Sequence, residues 1–304
     1  MAKGEVAKPL SPERWAINLT HVLNAALGTD HFPIKVIEVA QEYSRQRFPN
    51  DPITYVAGDD LPGFDGALLP SPNGKKEWGI IYNKAVSSPG RINFTLAHEF
   101  GHYLLHRERF PKGFRCSAQD VVRWDSEYGQ IEYQANKFAA TLLMPLDDYR
   151  KQINPRSSVS VDQLGACAER YGVSLITACL RWIEFTERRA VLVVSRDDYI
   201  LWARSSQRAL KTGAFFRTSG APVPVPANSV AANRLAAESP RTGTDLPADI
   251  WFREPCNEMT IFSDQYDFTI SLLQLSSVAE FSSSYDEEDD EGDLADRIRK
   301  NHGL

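Results

Sequence analysis

Within "FTLAHEFGHYLLH", residues 94–106, two histidines stand four apart with a glutamate directly after the first. On a helix, His98 and His102 project from one face about one turn apart, so both imidazoles reach a single cation. Neutral imidazole is a good zinc ligand, and two histidines plus one carboxylate leave a fourth tetrahedral position for water. A zinc ion lowers the pKa of such a water to about 7, where a neighbouring general base can draw its proton. Glu99, beside His98, is placed for that role without being a ligand. The pattern therefore reads as a metallohydrolase site with Zn2+ as its cofactor.

His106 repeats the four-residue step, but at ~1.5 Å rise per residue it lies ~12 Å from His98 along the axis. One ion between His98 and His102 is out of its reach, and no third histidine follows at the spacing of the longer three-histidine motif. It is expected to be a helix C-terminal residue facing carbonyls or solvent. The third ligand must come from elsewhere. Glu132 opens the apolar-periodic stretch "EYQANKFAATLLM", whose Ala135, Phe138, Ala139 and Leu142 would pack on the core, and its first turn points it at one end of that packed pair. Glu127, Asp120 and Asp125 occupy the same interval, and spacing alone leaves them as alternatives. The helix around His98 is otherwise apolar, through Phe94, Leu96, Ala97, Phe100, Leu104 and Leu105, so a polar trio inside it is costly without partners.

The elements that position these residues are legible in outline. Ser11-Pro12-Glu13 caps a helix that stops at Gly28. A second helix is expected from Pro33, with Ile34, Val36, Ile37, Ala40 and Tyr43 as its apolar stripe. Between residues 50 and 90 short apolar runs alternate with Pro, Gly, Asn and Asp, which predicts a small meander of strands. The last of these, "EWGIIYN", is read as an edge strand on which an extended substrate could pair. Beyond the two site helices, "VDQLGACAERYGVSLITACLRWIEF" predicts two helices joined at Tyr171-Gly172, with Ser174 capping the second. Hairpins are expected around Asp197-Asp198 and Asp264-Gln265, with Trp202, Trp251 and Phe252 in strands. The fold class is thus α+β: a zincin-like domain over 1–155, a helical segment over 156–188, a β-rich region over 189–280 and an acidic disordered tail over 281–304.

Composition bounds the alternatives. The 304 residues carry a net charge of −6, but "DEEDDEGD" at 286–293 supplies seven carboxylates, so the rest is close to neutral. That lacks the basic excess of a nucleic-acid binder, and the second helix of the pair begins "SLITACL", with nothing in its first turn to read bases. Direct DNA binding is not expected. No apolar run has signal-peptide or membrane-spanning length, which predicts a cytoplasmic protein. The four cysteines, Cys116, Cys167, Cys179 and Cys256, form no C-x-x-C pair, and Cys167 and Cys179 read as small core residues.

"INFTLAHEFGHYLLH" followed by "IEYQANKFAATLLMP" resembles the two signature segments of the ImmA/IrrE family of metallopeptidases: H-E-x-x-H on one helix, then E-x-x-A-N-x-F-A-x-x-L-L-M-P on the next. The likeness extends loosely over residues 10–155. It implies zinc ligands at His98, His102 and Glu132, a catalytic base at Glu99, and a protein substrate, namely a helix-turn-helix repressor whose cleavage switches on stress-response or mobile-element genes. Tyr103, Tyr128 and Tyr133 are candidate oxyanion donors. A zinc-stabilised regulatory protein with latent or no peptidase activity is the other reading of the same residues.

Overall fold

The computed structural model describes residues 10–72, 74–116, 127–233, 241–263 and 267–276. The acidic tail and the Asp264-Gln265 turn lie outside the described residues. Those up to Tyr149, together with Ala168–Ser174, form one compact unit; 150–167 and the residues from Leu175 on form a second.

In the first unit, α1 (Pro12–Leu27) starts where the Ser11 hydroxyl accepts from the Arg14 amide, and ends at Gly28, whose φ of 84° is open to glycine without strain. Its buried positions Ala16, Leu19, Thr20 and Leu23 recur at helical spacing. The second helix, α2 (Val36–Arg47), begins three residues later than expected, with Lys35 at its N-cap. Ile34, Val36 and Ala40 are buried as the stripe requires, but Ile37 is exposed. Ser44 is buried instead, donating to the Gln41 carbonyl and accepting from the Ile53 amide.

Three strands follow, β1 (Ile53–Asp59), β2 (Gly66–Pro70) and β3 (Trp78–Asn83), then α3 (Pro89–His106), β4 (Phe114–Cys116), α4 (Glu127–Leu143) and α5 (Leu146–Gln152). The sheet order is β1-β3-β2-β4, with β1 and β3 parallel and the other pairs antiparallel. The sheet is therefore mixed, not a meander. "EWGIIYN" forms an internal strand with a partner on each side, so it has no unpaired edge to offer a substrate. The burial of Trp78 and Ile80 matches that central place.

Two small residues let α3 and α4 approach closely. A Cβ on Gly101 would fall 2.9 Å from the Phe138 ring and 3.3 Å from Cα of Ala135. Phe100, Phe138, Ala139 and Leu142 are fully buried around that contact. Each stripe dictates which face turns inward, and the polar trio on α3 is carried inward with it.

Helix α6 (Val161–Tyr171) turns at Gly172, φ 59°, and α7 (Leu175–Phe185) follows with Ala178, Cys179, Trp182 and Ile183 buried. The second unit's sheet is wholly antiparallel: β5 (Ala190–Arg196), β6 (Tyr199–Ser205), β7 (Val223–Pro224), β8 (Thr244–Leu246), β9 (Cys256–Ser263) and β10 (Phe268–Leu275), in the order β7-β6-β5-β10-β9-β8. A short helix, α8 (Gln207–Lys211), follows β6. Asp197 and Asp198 both have positive φ, 50° and 62°, which makes the two-residue hairpin whose twist suits antiparallel strands. Trp202 lies in β6, whereas Trp251 and Phe252 lie outside any strand. Trp251 is buried there against Phe216, with its indole bonded to Glu258. Among the described residues no helix is long and apolar enough to cross a membrane.

Candidate metal centre

His98 and His102 leave the same face of α3, and their Nε2 atoms lie 2.9 Å apart. Glu132 meets both from α4: one carboxylate oxygen is 3.1 Å from Nε2 of His98, the other 3.2 Å from Nε2 of His102. The ligand atoms of the three residues all lie within 4.8 Å of one another, and all three side chains are buried. Two imidazole nitrogens and a carboxylate converging on one point are a donor set that could bind a metal, and the chemistry of that set suits zinc. Glu132 sits in the second turn of α4, since the helix begins at Glu127, five residues earlier than Glu132. Asp120 and Asp125, the alternatives from the loop, lie outside the described residues, as does the side chain of Glu127.

Electrostatics follow from the burial. For His102 desolvation outweighs the nearby Glu132 and brings its pKa down to about 3, so the ring is neutral. For His98 desolvation pulls the same way, but contacts with Glu132 and the charge of Glu99 overcome it and the pKa is raised. Burial would raise the Glu132 carboxyl; the two imidazoles overcome that and hold it well below the usual carboxylate range. A buried carboxylate beside two imidazoles is a set of groups that favours a cation at the point where they meet.

Glu99 is fully buried on the turn between the two histidines. Its carboxylate lies against β2: a Cβ on Gly66 would be 2.7 Å from Oε1 of Glu99 and 2.6 Å from Cγ2 of Thr95. A glycine at 66 thus leaves the space that the Glu99 side chain uses.

His106 departs from expectation. It is buried, not facing solvent, with Nδ1 3.1 Å from Nδ1 of His102 and Nε2 2.9 Å from Oε1 of Gln134. Phe114 of β4 stacks on His102 with ring centroids 4.5 Å apart. His98 in turn reaches Oδ1 of Asn136 through Nδ1 at 2.9 Å. Gln134 and Asn136 were not singled out from sequence, although both belong to the same "EYQANKF" segment as Glu132. Tyr103 is removed from the oxyanion candidates, because its hydroxyl donates to the Asp51 carbonyl inside the core.

Residues 54–182, which include both site helices, match the family model described as IrrE N-terminal-like domain, peptidase family M78. The match runs from β1 to α7, somewhat less than half of the chain, and makes that stretch similar to an IrrE N-terminal domain. No curated protein matches the chain. Among solved structures, a Mycobacterium tuberculosis transcriptional regulator is similar at 16% identity with a TM-score of 0.49, covering 86% of this chain and 75% of that one.

Proposed function

We propose that this chain is a zinc-dependent endopeptidase of the cytoplasm that cuts a protein substrate, a helix-turn-helix transcriptional repressor. The observation that carries the reading is the buried convergence of His98, His102 and Glu132, with Glu99 buried on the same helix, inside an IrrE-like domain. His98, His102 and Glu132 would hold the ion. When bound, zinc supplies Lewis acidity: it polarises a peptide carbonyl and makes water acidic enough to be deprotonated near neutral pH.

The remaining chemistry belongs to the chain. Glu99 takes a proton from the attacking water and hands it to the amide nitrogen of the leaving peptide, so that one carboxylate acts first as base and then as acid. Its burial strengthens that role, because a carboxylate shielded from bulk solvent exchanges its proton with the reacting groups in a low-dielectric setting. Gly66 keeps the adjacent backbone out of its way. Tyr128 and Tyr133 stay as candidates for donating to the developing oxyanion. The zincin-like domain is assigned to 1–155, the helical segment to 156–188 and the β-rich region to 189–280.

The test is Glu99→Gln. The variant is expected to bind zinc as the parent does and to lose at least about 100-fold of its cleavage rate on candidate repressors. Cleavage near the parent rate would sink the mechanism.

A further inference from the structure

The polar contacts behind the two imidazoles determine which nitrogen carries each proton. Nδ1 of His98 lies 2.9 Å from the side-chain oxygen of Asn136. An amide oxygen only accepts, so this Nδ1 carries hydrogen and donates. The same rule applies to His106, whose Nε2 lies 2.9 Å from Oε1 of Gln134 and therefore donates to it. With its hydrogen on Nε2, the neutral His106 ring keeps a lone pair on Nδ1. That lone pair faces Nδ1 of His102 at 3.1 Å, a contact that is a hydrogen bond only when His102 donates. His102 then holds its hydrogen on Nδ1 and its lone pair on Nε2, the atom that faces His98 and Glu132.

We propose that Gln134 and His106 form a two-step relay that fixes His102 in the Nδ1–H tautomer, while Asn136 fixes His98 in one step, so that both Nε2 lone pairs point at the cation position. The inference rests on the metal-site reading above and deepens it: His106, Gln134 and Asn136 are positioning residues. Both amide acceptors of the wiring, Gln134 and Asn136, come from the same stretch of α4 as Glu132. His106 is buried, so water does not compete for its ring. A histidine ligand held by the bond at its other nitrogen loses no free energy to tautomer exchange or ring rotation when metal arrives, and partners of this kind are worth about 10- to 100-fold in affinity.

Two measurements on the full chain test this. Long-range nitrogen NMR of the metal-free protein is expected to show the His102 hydrogen on Nδ1 and the His106 hydrogen on Nε2; a His102 hydrogen found on Nε2 overturns the relay. Zinc affinity by chelator competition is expected to fall about 10- to 100-fold in His106→Leu, which removes the acceptor. His106→Asn, whose side-chain oxygen still accepts from Nδ1 of His102, is expected to stay within about threefold of the parent. Equal losses in both variants, or none in either, overturn the proposal. Gln134→Leu, at a half-buried position, gives the same direction of change should His106→Leu fold poorly. A parent chain that takes up no zinc would instead remove the metal reading, and the NMR result would still decide the relay.

Discussion

Two carboxylates are buried in this molecule, and their surroundings could hardly differ more. In the second unit Glu258 of β9 is fully buried and accepts from the Val230 and Ala231 amides, at 3.0 and 2.8 Å, from the Trp251 indole at 2.6 Å and from the Thr260 hydroxyl at 2.7 Å. Every partner is a neutral donor, and three of them belong to segments outside the strands. Glu258 is a structural anchor that ties those segments to the sheet. Glu132 in the first unit is as deeply buried, but it faces two imidazole nitrogens whose rings already spend their other nitrogen on Asn136 and His106. Its neighbours are imidazoles that can present either a hydrogen or a lone pair, where those of Glu258 are fixed neutral donors. A buried carboxylate among fixed donors is complete in itself, whereas one between two imidazoles can share a cation with them.

That contrast can be broken by experiment. The largest effect is expected from Glu132→Ala, which should reduce zinc uptake from about one ion per chain to none measurable by metal analysis. Glu258→Leu should leave zinc uptake intact yet cost about 3 kcal/mol or more in urea denaturation, because several buried donors lose their acceptor together. A variant of Glu258 that lost metal, or one of Glu132 that kept it, would erase the distinction. Zinc at one hundred times its dissociation constant should stabilise the parent chain by about 2.7 kcal/mol and the Glu132→Ala variant not at all, read as a shift in the denaturation midpoint. Gly66→Ala should cost about 1 to 3 kcal/mol, since its Cβ would crowd Thr95 and Glu99, and should lower the cleavage rate while zinc stays bound. The smallest change is chemical: burial pushes the Cys179 thiol up to about 12, so it should resist alkylation in the folded chain and react once denatured.

How much of this was legible beforehand differs from residue to residue. The helix cap at Ser11 is local, and so are the apolar stripes of α3 and α4; their signals sit within a few residues of the structure they produce. The hairpin at Asp197-Asp198 is local in the same sense. The i, i+4 spacing of His98 and His102 is a property of one helix, and the segment carrying Glu132 is a strong helix in its own right. The larger misreadings are long-range. Placing β3 inside the sheet depends on a parallel partner, β1, some twenty residues away, and nothing within "EWGIIYN" encodes a neighbour. His106 was read by its distance from His98 along one axis, which excludes it as a ligand of the same ion but says nothing of Gln134 on another helix. Trp251 looked like a strand residue because aromatic and apolar neighbours favour strands, yet it is held outside one by Glu258.

The close approach at Gly101 has a further consequence. The three side chains of the candidate centre come from two helices, two from α3 and one from α4, so the distance between donors is set by the gap between helix axes. A pair of helices in contact through glycine and alanine works as a caliper whose jaws are the imidazoles and the carboxylate. Metal–ligand distances are defined to within about 0.2 Å. A single methyl group added at 101 would open the jaws by more than that tolerance, and the choice of ion would then be made at a position that carries no side chain.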